Sequence, residues 1–317
     1  MKVLIAYDGS NDSDAALDDL VRAGLPPAGE ALVVSVADVW LPPPNGSRSP
    51  DDGPDQILDP AAEQWLQQQW DRGRAKVAEA ESLAGHARKR VQKALPAWNV
   101  RSEATYGSPA WEIIAKADEM DADLIVVGSQ GRSAIGRFVL GSISQKVLTE
   151  ARCSVRIGRG KIEVDETPVR SLVGFDGSNG SIAALNAAAS RCWPPGSEVR
   201  VISAAEEILP SAIGRFIPPV TSAAAAINAA ERNWLGNQAK QALAAIGPTT
   251  VPFSFETISG HPKEVLIAEA SRWNADCIFL GANKFGSRIE RFLLGSTSAA
   301  VAARATASVE VVRSKSE

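Results

Sequence analysis

The residues best placed to do chemistry are Gly128-Ser129-Gln130-Gly131 and, after nine intervening residues, Gly141-Ser142. They follow Asp123-Leu124-Ile125-Val126-Val127, an apolar run that reads as a strand buried on both faces. Glycine lets backbone N–H groups come within hydrogen-bond range of a ligand. The free N–H groups of a first helical turn attract anions. Arg132 and Arg137 add positive charge to the loop. The chemistry implied is phosphate binding. The competing reading is that any strand-to-helix loop needs some glycine.

Better-known phosphate and nucleophile sites fit less well. A Walker loop requires Gly-Lys-Ser/Thr after its glycines, and a dinucleotide site requires G-x-G-x-x-G after the first strand. The first strand is followed instead by Asp8-Gly9-Ser10-Asn11. The Ser-Gly-Gly pyrophosphatase loop of some ATP enzymes is missing at that turn too. The two histidines offer a serine nucleophile no convincing partner. His86 falls in a long helical pattern, and His261, in Gly260-His261-Pro262, decorates a helix start. Cys153, Cys192 and Cys277 lack C-x-x-C spacing and read as buried, reduced thiols. No catalytic residue is assigned.

The elements that must position the glycine loop occur twice. Val3 to Ser10 returns as Leu172 to Ser178, and Tyr106 to Ile113 as Ser259 to Val265. Asp123 to Gly128 returns as Asp276 to Gly281, Arg137 to Ser142 as Arg291 to Ser296, and Cys153 to Ile157 as Ala307 to Val311. The offset between copies shrinks along the chain, which gives the first copy extra residues within Leu41 to Pro60, a Pro/Gly/Ser/Asp-rich surface loop or lid. Two domains are expected, 1–158 and 169–317, joined by a polar linker at 159–168.

Within the first copy the reading is a strand at Val3–Tyr7, then a helix with Leu17, Leu20, Val21 and Gly24 on one face. A second strand at Ala31–Val36 leads through the loop to a long amphipathic stretch from Leu66 to Leu95, with Trp65 and Trp70 as packing residues. A strand near Val100–Thr105, a helix begun by Pro109, the Leu124–Val127 strand, a helix from Ser142 and a last short strand follow. The fold class is therefore α/β, with two tandem five-stranded, mainly parallel sheets carrying helices on both faces. Ligands of such sheets bind at the carboxyl ends of the strands, where Asp8 and the Gly128 loop both arrive.

Composition bounds the partners. At 317 residues and 33.4 kDa the chain has room for two domains, and 45% hydrophobic with 22% charged residues suits ordinary cores. A net charge of −4, without a basic stripe, gives no basis for nucleic-acid binding. No apolar run reaches membrane-spanning length, and a cytoplasmic location is expected.

These residues together resemble the universal stress protein family, two copies in tandem over essentially the whole chain, with the adenine nucleotide alpha hydrolase-like fold. The family motif Gly-x-x-Gly, nine residues, Gly-Ser/Thr is matched by Gly128, Gly131, Gly141 and Ser142. The resemblance implies that Asp8 contacts the nucleotide or its metal and that the backbone at Val36 holds adenine. It also implies that Ile143 and Ser144 line the phosphates; Arg132 joins the expected nucleotide-binding residues through the charge it brings to the loop. The implied ligand is ATP, with Mg²⁺ as a possible companion, and the implied role is a stress or energy-state sensor. Slow ATP hydrolysis or autophosphorylation, and a nucleotide-free interaction scaffold, are the alternatives.

In the second copy Asp176, Gly281, Gly295 and Ser296 are kept, but one residue is inserted and the second glycine is displaced to Gly286. A weak or absent second site is expected. The resemblance further implies that the last strands, around Val155 and Val309, pair across a two-fold axis as an internal pseudo-dimer. Association of whole chains into a homo-oligomer is left open.

Overall fold

The computed structural model of the chain describes residues 1–39, 60–131, 140–159, 167–208, 218–284 and 292–314. The first copy comprises β1 (Lys2–Ala6), α1 (Asn11–Asp19), β2 (Glu30–Ala37), α2 (Pro60–Ala94), β3 (Asn99–Tyr106), α3 (Pro109–Glu119), β4 (Leu124–Gly128), α4 (Ser142–Glu150) and β5 (Ser154–Gly158). The second comprises β6 (Arg170–Gly174), α5 (Asn179–Ala189), β7 (Glu198–Ala205), α6 (Pro218–Ile246), β8 (Phe253–Ser259), α7 (Pro262–Arg272), β9 (Cys277–Gly281), α8 (Ser296–Arg304) and β12 (Ser308–Val312). Between β9 and α8 it adds a two-stranded hairpin, β10 (Asn283–Lys284) with β11 (Phe292–Leu293).

Local sequence sets the element starts. Ser10 and Ser178 cap α1 and α5, their hydroxyls accepting from Ser13 N–H at 3.1 Å and Ser181 N–H at 3.2 Å. Pro109 and Pro262 occupy the first positions of α3 and α7, where a missing N–H costs nothing. β4 and β9 have strands on both sides and helices above and below, so they read as unbroken apolar runs rather than alternating ones. Burying each such Leu, Ile or Val contributes roughly 1.5–3 kcal/mol, which makes these central strands the anchor of each half.

The two five-stranded sheets are one. Strand order is β3-β2-β1-β4-β5-β12-β9-β6-β7-β8, parallel throughout except where β5 meets β12 antiparallel. The expected pairing of the last strands is thus present, in the register Ile157↔Val309, Arg156↔Glu310, Val155↔Val311. On one face, α3, α4, α7 and α8 cover a single core that runs through both copies and includes Val147, Val155, Ile157, Val301, Val309 and Val311. On the other face each copy has its own core, Ile5, Leu17 and Val91 in the first and Val173, Leu185 and Phe279 in the second.

Some expectations fail in instructive ways. Val21 is exposed, because α1 ends at Asp19 and tightens into a 3-10 turn, Leu20–Arg22, ahead of Gly24 at φ +61°. Trp65 is exposed rather than packed, and Cys192 is exposed, unlike the buried Cys153 and Cys277. Pro60 opens α2 instead of closing the inserted loop, the rest of which lies outside the described residues. Arg159, read as the first linker residue, is tied instead to the second copy, donating to Ala307 O at 3.3 Å and to Ala302 O. Residues 160–166 lie outside the described residues.

Candidate functional site

β1 and β4 lie side by side in the sheet, which brings the residue pairs that follow them together. Past β1, Tyr7 N–H still bonds Val34 O at 2.9 Å, and then the chain turns. The Asp8 carboxylate accepts from Ser10 N–H at 3.0 Å through Oδ1, and Gly9 takes φ +75°. Such an Asx turn fixes the carboxylate at the sheet edge rather than leaving it to swing in solvent. The Ser35 hydroxyl donates to Tyr7 O at 2.7 Å and locks the end of β1 to β2.

Past β4, the loop runs hard against the start of α1. A Cβ on Gly128 would stand 2.7 Å from the Asp12 carbonyl carbon and 2.9 Å from Ser13 N, closer than a side chain can come. The Ser129 hydroxyl bonds the Asp12 carboxylate. The loop returns on itself where Gly141 N–H donates to Ser129 O at 2.9 Å. A Cβ on Gly131 would lie 3.2 Å from Asp8 Oδ2, so the free side of that carboxylate faces the glycine loop.

Gly141 is the N-cap of α4, extended at φ −62°, ψ 151°, and supplies no side-chain cap. The N–H groups of Ser142, Ile143 and Ser144 thus open the helix beside the loop, at the positive end of its dipole. The Ser144 hydroxyl is already engaged, donating to Gly128 O at 2.7 Å. Its side chain holds the end of β4 to α4, leaving the backbone as its contribution to any anion.

These pieces enclose a cleft of ≈ 600 Å³, within the range of small-molecule sites. Asp8, Val36, Gly128, Gly131, Gly141, Ser142, Ile143 and Ser144 all line it. Arg132 and Arg137 lie outside the described residues. Val36 lies on β2 beyond the last residue paired with β1, which is Val34, so its β1 side opens into the cleft. Pro109, Ile113 and Leu140 line it with apolar side chains.

The roof is α2, through Lys76, Glu79, Ala80 and Leu83. That i, i+3, i+4, i+7 spacing is one helical face. Lys76 and Glu79 were missed in the sequence, where only the apolar positions of this helix stood out. Their signal is that both flank the Val77–Ala80 stripe. Tyr7 also lines the cleft, its hydroxyl bonded to Asp14 at 2.8 Å. Burial, then the Asp14 carboxylate, raise its pKa above that of a free phenol.

The second copy repeats the frame. Asp176 accepts from Ser178 N–H at 3.0 Å, and Ser298 Oγ donates to Gly281 O at 3.1 Å. Gly295 caps α8 in the same extended conformation, φ −61°, ψ 149°. Beyond that, the copies diverge. A Cβ on Gly295 would meet Ser298 Oγ at 3.9 Å and no other described atom within 4 Å, whereas one on Gly141 would lie 3.3 Å from Gln130 Cα and 3.5 Å from Gly131 N. The Trp234 indole lies over the Asp176-Gly177 turn, 2.8 Å from where a Cβ on Gly177 would be. A shallower hollow of ≈ 390 Å³ sits to one side, lined by Glu206, Glu207, Ser259, Gly260 and His261. His261 is the N-cap residue of α7, as its sequence context suggests. Gly286 lies outside the described residues.

A family model described as the universal stress protein family matches residues 1–158 and again 170–313. The chain belongs to the universal stress protein family. A universal stress protein of Mycobacterium tuberculosis is 28% identical over 319 residues, covering 98% of this chain and 96% of its own. One from Thermus aquaticus is 33% identical over 157 residues, 50% of this chain and 97% of its own length. Among solved structures, a universal stress protein from Archaeoglobus fulgidus matches with a TM-score of 0.62 and 22% identity over 98% of each chain, a likeness of fold. The present chain is a tandem universal stress protein. Among the described residues no helix is long and apolar enough to cross a membrane.

Proposed function

We propose that the first copy binds ATP together with a divalent cation such as Mg²⁺, and that occupancy of this site reports stress or energy state to a partner. The observation that carries the reading is the single cleft in which Asp8, Val36 and the Gly128, Gly131 and Gly141 backbone meet the uncapped start of α4. The apolar side chains of Leu83, Pro109 and Ile113, which line the cleft with Val36, suit an adenine ring, and the amides of Ser142 to Ser144 suit a phosphate tail.

Among the described residues no group of three or more His, Cys, Asp or Glu side chains gathers as a metal cage. The cation would therefore be held largely by nucleotide phosphates, with the free Oδ2 of Asp8 as its protein ligand. Its contribution when bound is charge neutralisation, needed in a cleft that carries Asp8, Asp38 and Glu79 against Lys76. The chain's own part is to fix the glycine loop and the helix start before ligand arrives.

Native mass spectrometry of protein purified without added nucleotide tests this reading. The expected spectrum shows one adenine nucleotide per chain, or acquires one on addition of Mg²⁺ and ATP. A spectrum that shows no bound adenine nucleotide, before or after saturating ATP, would contradict it.

A further inference from the structure

The β5–β12 seam has a pseudo-two-fold axis, and one residue pair lies on it. The repeat aligns Val155-Arg156-Ile157 with Val309-Glu310-Val311, and the register places Arg156 directly opposite Glu310. Each is thus paired with its own counterpart from the other copy. Their flanking residues point into the shared core, so alternation sends Arg156 and Glu310 to the opposite face, between α1 and α5. Both are sealed from solvent, at 0% and 1% exposure.

Two arginines that flank that pair make symmetric contacts. Arg159, just past β5, donates to Ala307 O at 3.3 Å and to Ala302 O, closing the end of α8, while its N–H bonds Ser308 Oγ at 2.9 Å. Arg313, just past β12, donates to Cys153 O at 3.1 Å and to Leu148 O, closing the end of α4, while its N–H bonds Ser154 Oγ at 3.1 Å. These are the same contacts with the copies exchanged. They would form equally well if a first copy met another first copy.

The axis pair is the exception. Arg156 holds Asp19 with two of its nitrogens, one at 3.1 Å, and turns Nη1 to Glu310 Oε2 and to Cys277 Sγ, each at 3.1 Å. Glu310 receives Arg191 on its other oxygen. Asp19 and Glu310 hold the Arg156 pKa well above an ordinary guanidinium despite complete burial, and burial pushes the Cys277 thiol up to about 12. A guanidinium only donates and a carboxylate only accepts. Two first copies would each keep Asp19 on Nε and Nη2 but turn Nη1 toward the other Arg156 with no acceptor there, and two second copies would each keep Arg191 on Oε1 but turn Oε2 toward the other Glu310 with no donor.

We infer that Arg156 and Glu310, with Asp19 and Arg191 behind them, form a recognition code that makes this seam accept only the complementary copy. The partner it fits is a second-copy β12 edge for the first copy, and a first-copy β5 edge for the second. Once the chain is complete, the tether alone favours internal pairing, through a local concentration on the order of millimolar. The code matters earlier. At ordinary synthesis rates the first copy waits roughly 8 to 30 s for the second, with an apolar edge strand that would otherwise template pairing with another first copy. Two facing Nη1 groups without an acceptor disfavour that outcome, a case of specificity set by an unsatisfied alternative.

The test uses three full-length variants. D19N/R156E places acceptor against acceptor across its own seam, and R191Q/E310R places donor against donor. The quadruple variant carries all four changes and reverses the code within one chain. The expected result is that each double variant alone loses the wild-type mass in light scattering, through aggregation or loss of soluble protein. Co-expressed with different tags, the two doubles should be recovered together in equal amounts, because exchanging halves restores one native and one reversed pair. The quadruple variant should return to the wild-type mass. Wild type co-expressed with either double should not capture it. The inference is overturned if the doubles keep wild-type mass alone. It is equally overturned if neither co-expression nor the quadruple variant recovers it, since the cluster would then be packing without selectivity.

Discussion

The two copies share a frame up to the end of their fourth strands and differ in the dozen residues that follow. In both, an Asx turn after the first strand, a serine cap and a glycine pressed on that cap bring the loop to the sheet edge. In the first copy the loop closes on Gly141 and leaves a ≈ 600 Å³ cleft. In the second the inserted residue lies in a stretch that forms the β10–β11 hairpin, and Trp234 lies across the turn. The lesson is that the glycine at the end of the fourth strand serves packing in both copies, whereas the larger described cleft lies beside it in the first copy alone.

Substitutions at matched positions can separate those roles. The largest expected effect is on binding: Gly141→Val should weaken ATP by at least about 100-fold, some 2.7 kcal/mol, while Gly295→Val leaves the titration unchanged. Equal effects of the two would erase the distinction between the copies. Next comes stability. Gly281→Ala drives a methyl to 2.1 Å from the Gly180 carbonyl carbon, and Gly128→Ala drives one to 2.7 Å from that of Asp12. Both should cost about 1–3 kcal/mol in denaturant unfolding, Gly281→Ala the more, although only Gly128→Ala should also affect ATP. Lys76→Ala should weaken ATP about 3–10-fold, with a smaller loss at high salt, because the amine is exposed and screened. The smallest effect is expected for Trp234→Ala. The half-exposed indole should cost under about 1 kcal/mol of stability, and its removal should not create a second ATP site, since the residue inserted between Gly281 and Gly295 remains.

What could be read from sequence depended on distance along the chain. The Asp8 turn, the Gly128 to Ser144 stretch and the Pro109 helix start are each written within a few residues, where backbone chemistry leaves few options. The internal repeat exposed the two-copy organisation, and the family resemblance implied the pairing of the last strands. Lys76 and Glu79 were hidden because a long amphipathic helix shows which residues are polar, but not which polar edge turns toward a cleft. Val21 was misplaced because the period of α1 continues in sequence past the point where the backbone tightens at Leu20–Arg22. Arg159 looked like polar linker because its acceptors, Ala302 O and Ala307 O, lie in the other copy. The Arg156–Glu310 pair was invisible for the same reason: each reads alone as a charge misplaced in a buried strand.

The central claim is that this chain has one nucleotide site, built by the first copy. Isothermal titration of the full chain with ATP in excess Mg²⁺ tests it most directly. The account predicts a single class of site at one ATP per chain, lost in Gly141→Val and kept in Gly295→Val. Two equivalent sites per chain, or no heat of binding in the wild type, would contradict it.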